Sequence, residues 1–345
     1  MRQIIVLQSG KDNTAVDTSC GDVVDWKWEQ SLVELMCHPF TGVSGIAPYL
    51  NLDNNSSRAA IFLLYLNDNI VEHIVEQINK YGSSDSTFVS TTPDEFQVYL
   101  ALLILMGIIH KPTLQSYWSK EVTEDTPYSR SVMPRLHFVA LNKYLHLVDN
   151  KTLDPADSLR KICPIITTSS NSFQAVYTLP GSMCINEPLM KCRGRLHFIQ
   201  YNKSKQKTDG TPASTAIVME MMQKCDLLNK GYSLYIDNWY SSPELVHRLF
   251  SAGTNVCGTV HTNRKHMPKE LAKEKLKVGE AVAYKSGKVH RKMQIKIVKP
   301  TAVIDYNMKM RGVDVGDQIL SKCHVMRRHS KAYKKIFFYV VDMML

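Results

Sequence analysis

Several protein classes are excluded by what this chain lacks. It has no Cys-x-x-Cys pair, and its eight cysteines and twelve histidines are scattered without zinc-finger spacing. The sequence therefore supports neither a structural zinc site nor a dithiol redox motif, and no zinc is expected. Met1 to Gly10 holds one arginine and no long apolar core, so it does not read as a secretory signal, and the cysteines are expected as reduced core thiols. The longest apolar run, Val98 to Ile109, is twelve residues, too short to span a bilayer, and no membrane partner is expected. There is no internal repeat and no low-complexity tract. Basic residues are scarce in the first part: residues 1–150 carry 10 Lys+Arg against 17 Asp+Glu.

What is present is the composition of a folded, multi-domain chain. The 345 residues are 44% hydrophobic and 21% charged, enough for two or three cores. Residues 151–345 carry 32 Lys+Arg against 15 Asp+Glu, a net of +17 against −7 in the first part. A basic half suits a polyanion, because Lys and Arg contacts to phosphates release counterions. A solvated basic face is the other reading of the same charge.

Residues 1–30 show no period and read as a tail. Residues 31–36 and 61–80 read as helical, the latter from apolar residues three and four apart between Ile61 and Ile78. Thr92-Pro93-Asp94-Glu95 is a helix start with a capping box, feeding a helix to Ile109 that is apolar nearly all round. Leu114–Trp118 and Pro134–Leu147 read as further helices. Beyond Pro180-Gly181 the period shortens. Met183–Asn186 and Arg195–Tyr201 read as strands, Ala216–Leu228 as a helix, and Tyr232–Ile236 as a buried strand ending at Asp237. Ser242-Pro243 starts a helix to Phe250, Val256–Val260 reads as a strand, and residues 263–299 as basic strands and loops. Val303–Tyr306 reads as a short strand before a turn at Asp314 that feeds a helix. Ser330–Leu345 is an amphipathic helix that runs to the last residue without a C-cap, as if truncated.

Two aspartates stand in distinctive settings. Asp237 lies in Tyr235-Ile236-Asp237-Asn238-Trp239-Tyr240, and Asp314 in Tyr306-Asn307-Met308-Lys309-Met310-Arg311-Gly312-Val313-Asp314-Val315-Gly316-Asp317-Gln318. Carboxylates gathered from distant strand and helix ends are how a divalent-metal site for phosphoryl transfer is built. Seen alone, Asp237 reads equally as a turn or cap residue, and Asp314 and Asp317 as carboxylates that complement a helix dipole.

These segments, with His38-Pro39-Phe40-Thr41-Gly42-Val43, Leu145–Asn150, Ser241-Ser242-Pro243, Cys257-Gly258-Thr259-Val260 and Asn263-Arg264-Lys265, resemble the piggyBac transposable element-derived family from about Cys37 onward. Its members are DDE transposases or their domesticated descendants. The resemblance implies an α+β chain: a helical N-terminal domain (residues 31–180) that also takes up the last helix (321–345), and an RNase H-like mixed α/β domain (181–252 and 301–320) interrupted by a small basic β insertion (253–300). It implies DNA transposition, a nuclear location, Mg²⁺ if any metal binding survives, duplex DNA of the transposon-end kind as partner, and admits a homodimer.

By motif, the family's second and third metal-binding aspartates fall on Asp237 and Asp314, with Asp317 auxiliary on the same helical face. The first falls on Asn186, in Ile185-Asn186-Glu187-Pro188. A carboxamide offers one neutral oxygen and cannot bridge two dications as a carboxylate can. Glu187 would point to the other side of a strand. The spacings of 51 residues from Asn186 to Asp237 and 77 to Asp314 are short for the family, whose long β-hairpin after Tyr201-Asn202-Lys203 is missing here. The sheet is therefore expected to be incomplete, and the family's cysteine-rich zinc-binding C-terminus is absent from this sequence.

For DNA contact the candidates are Lys191, Arg193, Arg195, Lys203, Lys205 and Lys207, which line one face of an extended chain, together with Trp239, Arg264, Lys265, Arg327 and Arg328. Lys331, Lys334 and Lys335 continue the last group, or form the polar side of the final helix. Trp239 and Tyr240 either stack on a base or pack in the core. The sum is an expectation of a transposase-derived, DNA-binding chain impaired in strand cleavage and joining. An active recombinase with a substitute carboxylate and a helix-mediated interaction protein are the alternatives.

Overall fold

The computed structural model describes residues 4–9, 28–30, 37–53, 55–152, 157, 159–186, 211–270, 284–286, 289–290, 301–322, 325 and 331–345. Strands β1 (Ile4–Ser9), β2 (Trp28–Gln30) and the two-residue β3 (Gly45–Ile46) come first. The helical stretch expected over 61–80 is two helices, α1 (Arg58–Tyr65) and α2 (Asp68–Gly82). Asn67 divides them, its side chain accepting from the Ile70 amide at 3.1 Å, because a short polar side chain satisfies a helix start better than it continues a helix. Helix α3 (Pro93–Ile108) begins with the anticipated capping box: Thr92 accepts from the Glu95 amide and Glu95 accepts from the Thr92 amide.

Pro134–Leu147 resolves into α5 (Arg135–Tyr144), preceded by a short α4 (Pro127–Val132). Helix α6 (Cys163–Val176) was not legible. Its Thr167-Thr168-Ser169-Ser170-Asn171-Ser172 core has poor intrinsic helix preference, and packing of Ile165 and Val176 overrides it. Then follow β4 (Tyr177–Thr178), β5 (Ser182–Ile185), α7 (Ala213–Lys224), β6 (Ser233–Ile236), α8 (Pro243–Ser251), β7 (Asn255–Thr259), β8 (Tyr284–Ser286), β9 (Val289–His290), α9 (Thr301–Leu320) and α10 (Ala332–Met344).

The chain divides into two compact units. The helical unit, Ile46–Tyr177 with Asp317–Leu345, has a core of Ile70, Ile74, Ile78, Phe96, Tyr99, Leu103, Phe138, Leu141, Phe337 and Phe338. Helix α10 is integral to it: Tyr333 donates to the Leu145 carbonyl at 3.0 Å, and Lys334 Nζ donates to the carbonyls of Asn142 and Lys143. A lysine on the last carbonyls of α5 satisfies acceptors that the helix itself leaves open. Lys334 and Lys335 are therefore buried, which corrects their reading as a polar DNA-facing edge.

The second unit is built on a sheet. Strands β5, β6 and β7 run parallel, with Cys184 level with Tyr235 and Cys257, and Ile185 level with Ile236 and Gly258. Strand β1 adds antiparallel to β7, Ile5 opposite Gly258. This corrects two expectations. Ile4–Ser9 is a sheet strand and not a tail; its apolar run Ile4-Ile5-Val6-Leu7 covers an edge of β7 that would otherwise be unpaired. Strand β7 belongs to the sheet between β6 and β1, not to a separate insertion over 253–300. Continuing through β9, β8 and β2, the order is β2-β8-β9-β1-β7-β6-β5, with β5 last on its side among the described residues. The expected strand Arg195–Tyr201 and the helix at 31–36 lie outside them.

Side-chain alternation gives the parallel strands two distinct faces. Met183, Ile185, Leu234, Ile236 and Val256 pack with Val218 and Met222 of α7 and Leu245, Val246 and Leu249 of α8. The other face carries Cys184, Tyr235 and Cys257 in one row. Against it lies α9, where a short strand at Val303–Tyr306 was expected. The half-buried or buried residues Tyr306, Met310, Val313, Asp317 and Leu320 recur at three and four, a helical period that four residues read alone do not reveal.

Candidate functional site

Strands β5 and β6 each end one residue before a candidate. Ile185 is paired with Ile236, so the next residues, Asn186 and Asp237, leave adjacent strands side by side at their C-terminal ends. Both are half-buried. Continuing the alternation of Cys184 and Tyr235 puts the two on the α9 side of the sheet. After Asp237 the chain turns sharply. The amides of Tyr240 and Ser241 donate to the Asp237 carbonyl (3.2 and 3.1 Å), Ser241 Oγ donates to it as well (2.9 Å), and the Asn238 amide donates to Asp237 Oδ1. Ser242 then caps α8, accepting from the Leu245 amide at 3.2 Å.

Arg264 pins this turn. Its guanidinium donates to the carbonyls of Asn238 (2.8 Å) and Trp239 (2.9 Å), so the side chain proposed for DNA contact positions the loop that carries Asp237. Trp239 is half-buried, edge-on to Tyr240 at 4.7 Å, and packs against the sheet core. Lys265 is exposed. Gly258 has a steric role: a Cβ there would lie 2.4 Å from Ser241 Oγ and 2.9 Å from Ile236, so only glycine lets the turn after Asp237 close on β7.

Helix α9 meets the sheet through Asp305, Tyr306 and Gly312. Tyr235 donates its hydroxyl to Asp305 Oδ2, Tyr306 donates to the Ile236 carbonyl at 3.3 Å, and a Cβ at Gly312 would lie 3.2 Å from Cys184 Sγ. Burial, then the Asp305 carboxylate, raises the Tyr235 hydroxyl; the same two causes push Cys257 up to about 12. At about 3.6 residues per turn, Asp314 stands half a turn round from Asp305, and it is exposed. Asp317 lies on the stripe of Tyr306, Met310 and Val313 and is half-buried. The residues expected to converge are therefore divided: the strands bring Asn186 and Asp237 together, while the helix turns Asp314 outward and Asp305 inward. Asp305 went unnoticed in the sequence because it was read as part of a strand; its place one residue before Tyr306-Asn307 was the available signal.

These donors do not fit two bridged dications. One carboxylate and one carboxamide stand at the strand ends, and among the described residues no three His, Cys, Asp or Glu side chains are grouped to hold a metal. Glu187 lies outside the described residues, as do Lys191, Arg193, Arg195, Lys203, Lys205, Lys207, Arg327 and Arg328.

The family model described as Transposase IS4 matches residues 57–211, 206–291 and 283–345. The chain belongs to this transposase family, in its piggyBac branch. It is 21% identical to human PiggyBac transposable element-derived protein 3 over 385 positions, covering 92% of this chain and 65% of that protein. It is 23% identical to human PiggyBac transposable element-derived protein 2, covering 83% of this chain and 60% of that one. The chain thus spans about two thirds or less of the curated relatives it matches. The first comparison runs over more positions than the chain's 345 residues, so that relative carries segments, inside the aligned span, that this chain lacks. The fold is that of a piggyBac transposase solved as a synaptic complex with hairpin DNA, with a TM-score of 0.74 and 21% identity over 88% of this chain and 76% of that one.

Proposed function

We propose that this piggyBac-type chain is a duplex-DNA-binding descendant of a transposase whose strand-cleaving and strand-joining centre is impaired. One observation carries the reading: the β5–β6 register brings Asn186, an amide, to the place beside Asp237 where a second carboxylate would be needed. Phosphoryl transfer by two metals needs anionic ligands that bridge and neutralise the ions, and an amide oxygen does neither. The net of +17 over residues 151–345 and the DNA in the solved neighbour's complex support the DNA-binding part. A nuclear location and a homodimer belong to the same reading.

The test is to incubate the purified chain with a terminal-repeat duplex and Mg²⁺ or Mn²⁺. Salt-dependent binding without nicking is expected, and no binding at low salt would sink the reading. Asp305 favours one second reading, an active enzyme with a substitute carboxylate, because it reaches the same side of the sheet as Asp237. Nicking that Asp237→Ala and Asp305→Asn each abolish would establish that instead.

A further inference from the structure

Helix α9 carries two apolar faces, and the sheet takes only one of them. Tyr306, Met310 and Val313 are buried or half-buried on the side that meets the sheet. On the other side Ile304, Met308, Val315 and Ile319 are 45, 61, 40 and 61% exposed. At about 100° per residue these four fall within about 60° of one another, so they form one stripe along the helix. Isolated apolar side chains are ordinary on a surface, but a continuous row of four large ones marks a contact face.

The stripe reads the same in both directions. Its members are four, seven and four residues apart. A second α9 laid antiparallel therefore sets Ile304 against Ile319 and Met308 against Val315 in a single register, each contact made twice. Such self-complementarity is what a two-fold contact requires. The charges agree with that register. Arg311 and Asp314 are exposed on one border of the stripe, one on each side of its midpoint, and among the described residues neither has an ion pair. In an antiparallel pair the same borders meet, so Arg311 of each copy comes within about 3 Å, measured along the axis, of the level of Asp314 in the other. Parallel pairing would set Arg311 against Arg311 and Asp314 against Asp314, which opposes that arrangement.

We propose that a second copy of this chain covers the Ile304–Ile319 stripe of α9 in antiparallel register, with Asp314 of each copy paired to Arg311 of the other. The inference rests on the homodimer in the reading above and names its interface, and it needs no DNA contact. The apolar stripe supplies the association, and the two ion pairs at its border set direction and register. The outward turn of Asp314 thereby acquires a use: the carboxylate that the motif assigns to a metal serves here as an ion-pair partner.

The experiment is sedimentation velocity on the full chain and on charge-reversed variants, across micromolar concentrations. The wild type should be a dimer that dissociates on dilution. Arg311→Asp and Asp314→Arg each set like charges opposite one another at both symmetry-related places, and each should raise the dimer dissociation constant about tenfold or more. An equimolar mixture of the two single variants restores opposite charges at both places and should dimerise as the wild type does. The Arg311→Asp/Asp314→Arg double variant should recover in the same way. A monomeric wild type, single variants with an unchanged dissociation constant, or single variants that mixing does not rescue would each overturn the α9 interface. Those results leave duplex binding by the wild type standing, whereas an intact dimer that binds no duplex at low salt strikes the functional reading and spares the interface.

Discussion

Replacing Asn186 by aspartate adds a carboxylate beside Asp237. Adjacent strands lie about 4.8 Å apart, and the paired register sets residues 186 and 237 level, so the two charges stand about 5 Å apart. At an effective dielectric constant of about 20 their repulsion is about 3 kcal/mol. Both positions are half-buried, and screening by water and salt brings the expected cost to about 1–2 kcal/mol. With each kcal/mol worth about 2–4 °C for units of this size, the melting temperature of Asn186→Asp without metal should fall by about 2–8 °C. A dication bound between the two carboxylates reverses the loss; at a hundred times its dissociation constant it contributes about 2.7 kcal/mol. Differential scanning fluorimetry with and without Mg²⁺ reads both effects, with the parent protein as control. A variant that melts with the parent and ignores Mg²⁺ would show that the two strand ends do not share a site, and the account of Asn186 as the impaired ligand would be wrong.

Asn255 is 2% exposed, accepts from the His38 amide at 2.8 Å and donates to the His38 and Gly231 carbonyls at 2.9 and 3.3 Å; Asn255→Ala should cost about 2–4 kcal/mol in urea unfolding, while Asn255→Asp should recover only the accepting bond. Gly231 has φ +73°, and a Cβ there would lie 1.9 Å from the Pro39 carbonyl oxygen; Gly231→Ala should destabilise by more than the about 1 kcal/mol of an ordinary left-handed site, measured the same way. The His146 pKa is depressed, by burial first and then by Lys331, Lys161 and Lys334, so the unfolded chain binds the extra proton first. Stability is therefore full above about pH 6.5 and is lost as pH falls toward about 4. His146→Phe, which keeps a ring on Tyr81, should flatten that part of a pH–stability profile by up to about 3 kcal/mol, and an unchanged profile would refute the assignment.

Local rules carried the reading far where they act within a few residues. The Thr92 capping box, the Ser242 cap and the apolar runs that became β6 and β7 are set by neighbours in the chain, and each stands where it was expected to within a few residues. Strand β1 was missed although Ile4-Ile5-Val6-Leu7 is a short apolar run of the strand kind; such a run does not name its partner, and the pairing is with the β7 edge about 250 residues away. Helix α6 was missed for the same reason, since its serines and threonines are helical only because a core receives their neighbours. At the candidate site, the residue types at 186, 237 and 314 were legible, but the side on which α9 presents Asp314 was not.

The sequence by itself determined the ancestry: motif order, the amide at 186 and the shortened spacings are covalent facts that no packing alters. Only the tertiary structure decided which side chains meet. Parallel register set Asn186 against Asp237, the continuous turn of α9 sent Asp314 outward and Asp305 toward Tyr235, and docking of α10 on α5 buried Lys334 while leaving Lys331 exposed. Register, helical phase and burial are properties of pairs of elements far apart in the chain, so they are settled when those elements pack and not before.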